Sequence, residues 1–209
     1  MQTTLGSNIP LCTHTHSQSE LRIGSDESLK GDSFGGIVVA GVLATEAQRK
    51  ELSRIGVMDS KKLSTQKITY LANCIMQIVP YAVQSIMPQE YNNTSLTLLL
   101  NTLHKQVATE LAQNVSPKPV HIVDLYPGCR VGDIMETKAE SKYVEVAAAS
   151  ILARNAALQQ MDELSHKAGF KLPLGSTHVT DALIELKKRK LNPAHFVKLH
   201  FKNVQAILK

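Results

Sequence analysis

The sequence predicts an α/β fold, a mixed central sheet flanked by helices with further helices at the C-terminus. Three observations predict it. Short β-branched runs begin near residue 21, an apolar run ending in Asp124 follows a helix-spaced segment, and a long Ala-rich stretch follows that. Strand-sized runs alternating with helical periodicity are the pattern of helices packed on a sheet. With 209 residues and 43% apolar composition the chain can bury one sizeable core, so one main domain is expected over residues 21–209.

Each element follows from its own pattern. Residues 1–20 are polar and rich in Thr, Ser and His, which predicts a flexible tail. Cys12, His14 and His16 within it lack a second ligand pair and read as tail, not metal site. "LRIGSDES" and "GGIVVAGVLAT" are short runs separated by a Gly-containing turn, as in an antiparallel pair of strands. In "STQKITYLANCIMQIV", Ile68, Leu71, Ile75 and Val79 recur at helical spacing behind Ser64, a suitable N-cap. "YAVQSIM" is a strand. Leu96, Leu99, Leu100, Leu103, Val107 and Leu111 then line one face of a helix that Pro117 and Pro119 stop. "VHIVDLY" follows as a buried strand, so residues 81–126 read as strand, crossover helix and parallel strand, with Asp124 at a carboxyl end. The segment around "RVGDIMETKAES" adds a short edge strand, and "VEVAAASILARNAALQQMDELSHKAG" is a helix built for close packing. Thr180 is placed to cap "DALIELKKRK", and Pro193 to open a helix over "AHFVKLHFKNVQAIL".

Composition narrows the function classes. The formal charge of +5 favours an anionic partner such as nucleic acid. Aromatics are only 4% with no Trp, which argues against a platform stacking many single-stranded bases and for contact with a duplex backbone. Three cysteines, Cys12, Cys74 and Cys129, at unrelated spacings fit a reducing compartment, the cytoplasm by default. No run approaches the roughly 18 apolar residues that a membrane span needs, and the start has no secretory pattern.

Four acids stand out as metal ligands. Asp26 and Glu27 lie on the first strand, Asp124 ends the later one, and Glu140 precedes the Ala-rich helix. Hard divalent cations take oxygen ligands at such positions. Two like charges ~4 Å apart at an effective dielectric of ~20 repel by roughly 4 kcal/mol, so crowded carboxylates imply a bound cation or raised pKa values. Neighbouring strand residues point to opposite faces, so Asp26 and Glu27 share one site only where the strand ends, twists or bulges. Asp32, Asp59, Asp133, Glu136, Glu145 and Asp162 read as turn, cap or solvated-face residues, the Lys187–Lys190 run as a solvated helix end, and His104, His195 and His200 as packed.

"GSDESLKGDSFGGIVVAGVL", "DSKKLS", "YN" before "LNTLH", "IVD" ending at Asp124, "TKAESKYVEVAAASILAR", "LPLGS" and "KLHFKN" occur in the order seen in bacterial ribonuclease HIII. The resemblance runs from about Leu21 to the C-terminus. "KAES" separates the chain from the sister type-two ribonucleases H, whose usual pattern has Asp in place of Glu140. The resemblance implies a ribonuclease H-like fold and endonucleolytic cleavage of the RNA strand of RNA/DNA hybrids, leaving 5′-phosphate and 3′-hydroxyl ends. It carries a four-acid site onto Asp26, Glu27, Asp124 and Glu140, holding Mg²⁺ or Mn²⁺. Two ions are implied, one activating water and one stabilising the leaving oxygen. It also places Lys30, Gly31, Ser60 and Lys61 near the nucleic acid, and implies a monomer without protein partners.

The chain departs from the family in two places. Family members follow the first acidic pair with a Gly-x-Gly turn that approaches the ribose, and here Leu29 replaces the first Gly, adding a side chain where Gly allows close approach. Family members also carry an N-terminal substrate-binding domain, for which the twenty-residue tail is too short. Together these imply retained catalysis with weaker hybrid binding. Two other readings are a type-two-like enzyme acting at single ribonucleotides in DNA, which "KAES" disfavours, and a catalytically weakened hybrid-binding protein, which the complete acid quartet disfavours.

Overall fold

The computed structural model describes residues 21–57 and 63–208; the tail expected over residues 1–20 lies outside them. Five strands form one sheet in the order β3-β2-β1-β4-β5: β1 (Arg22–Ser28), β2 (Ile37–Ala44), β3 (Tyr81–Ile86), β4 (Val120–Asp124) and β5 (Ile134–Glu136). β1 pairs antiparallel with β2 and parallel with β4, and β5 runs parallel to β4 at the edge. The antiparallel opening pair and the edge strand are as the sequence predicts. β3 and β4 are indeed parallel, but β2 and β1 lie between them, so the crossover spans two strands. That jump inserts β4 beside β1.

Helices cover both faces of the sheet. On one side, after the short α3 (Pro88–Tyr91), α4 (Leu96–Ala112) packs Leu100, Leu103, Val107 and Leu111 against Ile23, Val39 and Val123. On the other, α5 (Val144–Ala168) and α2 (Thr65–Ile78) pack Ala147, Ala148, Ile151, Ile68, Leu71 and Ile75 against Val38, Ala40 and Val42. Every residue of β2 is buried because both helical layers pack on it. Ser64 caps α2 and Ser95 caps α4, each accepting from a backbone N–H of the first turn.

The contact between α5 and β1 is unusually close. A Cβ on Gly24 would lie 2.4 Å from both the Glu145 carbonyl carbon and the Val146 nitrogen. Gly24 and the Ala-rich start of α5 thus let a helix rest directly on strand backbone. Glu145, expected on a solvated face, is buried at this seam, with Arg22 Nη1 3.9 Å from its Oε1.

Three local readings differ from the sequence expectation. Residues Glu46–Arg54 form a helix, α1, with only Leu52 buried. Its apolar periodicity is too thin to announce it, and its signal is the capping box between Thr45 and Gln48. α6 (Thr180–Lys188) begins with Thr180 inside the helix; Val179 is the N-cap and no side chain caps it. The last predicted helix is broken: a 3₁₀ turn spans Pro193–His195, Val197 bridges to Phe34, and only Lys202–Leu208 forms α7. Pairing with the 29–35 turn takes the intervening backbone away from the helix.

Gly24→Ala is expected to destabilise the fold by about 2–3 kcal/mol, the upper range for overpacking a rigid contact. Urea unfolding of the variant beside wild type measures it; an unchanged midpoint would mean that α5 does not rest on β1 this closely.

Candidate active site

β1 and β4 are adjacent parallel strands with Ser25 opposite Val123, so Asp26 and Asp124 stand at the same level at their carboxyl ends. Residues level on neighbouring strands face the same way. Here both aspartates face α5, where Asp26 is hydrogen-bonded to the Ser150 side chain. Glu140 arrives from the connection. It sits on a 3₁₀ turn, Ala139–Ser141, entered through Lys138 in the left-handed region at φ 57°. Ala139 N–H donates to Asp124 Oδ1 at 3.0 Å, its side chain is buried beside Ile122 and Val146, and Glu140 Oε2 is buried too. Asp26, Asp124 and Glu140 therefore lie at one end of the sheet toward the start of α5.

Glu27 leaves by the opposite face. The β1–β2 register is regular through Ser28 and Val38, so no bulge turns Glu27 to the α5 side. Its Oε1 accepts from Lys30 Nζ, and its Oε2 lies 3.3 Å from His104 Nε2 of α4. Behind it, Ser25 Oγ is hydrogen-bonded at 2.8 Å to both His104 Nδ1 and His121 Nε2. The buried His104 ring also stacks on Tyr126, over which Lys30 Nζ sits 5.8 Å from the ring centre. His104 is packed, as its sequence setting suggests, and it also supports a candidate acid. The available signal was its place as the polar residue on the apolar face of α4.

The two neighbours carry opposite electrostatics. Burial pushes the Asp26 carboxyl up to about 8, with Glu27 and then Asp124 adding to the rise against the Ser150 and Glu27 backbone hydrogen bonds. Burial acts the same way on Glu27, but His104 and Lys30 outweigh it and hold that carboxyl below its ordinary value. Burial also lowers His121 to about 4, so it is a neutral partner for Ser25.

Among the described residues no three His, Cys, Asp or Glu side chains form a group that could hold a metal ion as they stand. The donor set itself fits a hard divalent cation. It is all carboxylate oxygen, and a half-buried Asp26 beside Asp124 is a group whose charge a cation would stabilise. Of the expected nucleic-acid contacts, Lys30 and the exposed Gly31 lie in the turn after β1, while Ser60 and Lys61 fall outside the described residues. Leu29 occupies the left-handed region at φ 67°, where Gly is usual, yet its side chain is buried in the main core. It fills the interior and not the surface of the turn.

The family model for ribonuclease HII matches residues 23–204. Curated ribonucleases HIII from Limosilactobacillus fermentum (34% identical over 88% of this chain and 67% of that protein) and Bacillus cereus (35%, 88% and 67%) are similar to it. The crystal structure of Bst-RNase HIII in complex with Mn²⁺ superposes with a TM-score of 0.82 at 32% identity, covering 91% of this chain and 70% of that one. Aquifex aeolicus RNase H3 gives 0.74 at 32%, covering 87% and 72%. The chain belongs to the ribonuclease HII family and, within it, stands with the ribonucleases HIII.

An Asp26 carboxyl raised above its unfolded value stabilises the fold below about pH 4, and that contribution is lost as pH climbs toward 8. In chelator at pH 8, Asp26→Asn is therefore expected to melt at least about 3 °C above wild type, the shift that ~1 kcal/mol gives at this size. The gain should shrink at pH 5. Melting curves at the two pH values check it, and a variant less stable than wild type at pH 8 would reverse the sign.

Proposed function

We propose that this protein is a divalent-metal-dependent endonuclease that hydrolyses the RNA strand of RNA/DNA hybrids, leaving 5′-phosphate and 3′-hydroxyl ends. One observation carries the reading: Asp26 and Asp124 lie level on adjacent parallel strands, and Asp26 is half-buried where a lone carboxylate is disfavoured. A carboxyl pair in that position asks for a cation. Family membership directs that cation to phosphodiester chemistry on a nucleic acid.

In this reading Asp26, Asp124 and Glu140 would hold Mg²⁺ or Mn²⁺, two ions in all, and Glu27, which faces α4 in this structure, would join them on releasing Lys30. Held by these carboxylates, divalent ions would supply an activated water and charge stabilisation for the leaving oxygen. The protein's own groups do the positioning. Ser150 orients Asp26, the Ala139 N–H fixes the rotamer of Asp124, and His104 with Lys30 keeps Glu27 ionised and aimed. Lys30 is the cation that must exchange Glu27 for another anion, and a substrate phosphate is the natural acceptor. The exposed backbone at Gly31 approaches the strand being cut, and Ser60 and Lys61 add contacts to the phosphate backbone. The whole of residues 21–209 serves as one catalytic domain, acting as a monomer in the cytoplasm.

Purified protein given labelled hybrid with Mg²⁺ or Mn²⁺ should cut the RNA strand, lose activity on chelation, and lose at least about a hundredfold in rate as Asp124→Asn while still binding hybrid. If wild type and variant are equally inert yet both bind hybrid, the protein is a binding module. Cleavage confined to duplex DNA bearing one ribonucleotide would move the substrate to the type-two relatives' class.

A further inference from the structure

The turn that follows the acidic pair is held by a side chain from far along the chain. Lys198 is fully buried, and its Nζ donates at 2.7 Å to Leu29 O and at 2.7 Å to Asp32 O. Its own backbone N–H donates to Ser33 O at 2.9 Å. The Nζ lies 5.2 Å from the centre of the Tyr91 ring and 5.6 Å from that of Phe201, so aromatic faces line the rest of its pocket. The same C-terminal segment adds Asn203 Nδ2, which donates to Ser33 Oγ at 2.8 Å, and Gly175 N–H donates to Asp32 Oδ1 at 2.5 Å.

A buried amine is an expensive way to fill a pocket that Met or Leu would fill by volume alone. What explains it is the turn. Leu29 sits at φ 67°, a strained conformation for a side-chain-bearing residue. The turn's inward carbonyls lie beyond the end of the β1 ladder, where an inward-facing carbonyl needs a donor from elsewhere in the fold. Leu29 O also accepts from the Asp32 N–H at 3.2 Å across the turn, so Lys198 adds a second donor there and gives Asp32 O one from inside, while Leu29 anchors the core side. On the outer side Lys30 reaches Glu27 and Gly31 is exposed. Burial lowers the Lys198 amine to about 7 with Asp32 opposing; either charge state keeps the two N–H donors that the carbonyls take.

We propose that Lys198 is a positioning residue for substrate. By clamping the carbonyls of Leu29 and Asp32 it presets the backbone of the turn that the hybrid meets beside Asp26 and Glu27, and so sets affinity more than chemical rate. This rests on the reading of that turn as a substrate contact under the proposed function.

The test compares wild type with Lys198→Met, which keeps the volume and removes both donors, by three measurements. These are hybrid binding in chelator by fluorescence anisotropy, KM and kcat with Mn²⁺, and amide hydrogen exchange over residues 29–33. The clamp predicts dissociation constant and KM up about tenfold, kcat within about threefold, and exchange in the turn at least about tenfold faster. A folded variant with wild-type KM and binding overturns the positioning role, as does one losing only kcat. If Lys198→Met does not fold, Asn203→Ala unties Ser33 from the same segment with Lys198 in place. It should raise KM about threefold at unchanged kcat, and an unchanged KM overturns the proposal. Should wild type itself not cut hybrid, the proposed function fails, while the exchange measurement still reports on the clamp.

Discussion

The parallel pairing of β1 with β4 is the constraint on which the rest of this molecule depends. It sets Ser25 opposite Val123, and everything about the acidic end follows from that register. One residue further on, two aspartates stand on one face; a shift of one residue in β4 would send Asp124 to the α4 side, into the apolar layer of Ile23 and Leu103. The register is itself held by burial on both faces. Ile23 and Val123 are fixed in the α4 layer, and Ile122 packs with Ala139 and Val146 on the other. Packing energy thus maintains an electrostatically unfavourable juxtaposition.

The two members of the acidic pair are handled differently because strand alternation gives them different neighbours. Glu27 faces α4 and finds a cation and an imidazole, so it stays ionised in the absence of metal. Asp26 faces α5 and finds a hydroxyl, burial and another carboxylate, so it holds its proton well into the neutral range. A site built this way is charged on one side and poised to release a proton on the other. The Ser25, His104 and His121 network stiffens the charged side, and the Lys198 clamp stiffens the turn that continues from it.

Much of this was legible in the sequence, for identifiable reasons. The helices α2, α4 and α5 are long and strongly periodic, and the strands are bounded by turn residues, so their existence and order could be read. The acids were visible as candidates because carboxylates at strand ends are costly. Spacing could not show which face each takes, and the regular β1 ladder decides that Glu27 and Asp26 diverge. α1 was hidden because its one buried residue gives no periodicity. The C-terminal helix was over-read, because the pull of Phe34 on Val197 and of two carbonyls on Lys198 is tertiary and leaves no local mark. Glu145 looked like any helix-start acid, and only the approach of α5 to Gly24 buries it.

The central claim, that the half-buried carboxylates at the ends of β1 and β4 receive a divalent cation, is tested most directly by calorimetric titration of the protein with Mn²⁺ at pH 7. Run in buffers of differing ionisation enthalpy, it counts the protons released on binding. Saturable binding with release approaching one proton, lost in Asp26→Asn, is the predicted result. Saturable binding with no proton release, or no binding at millimolar Mn²⁺, would contradict the account.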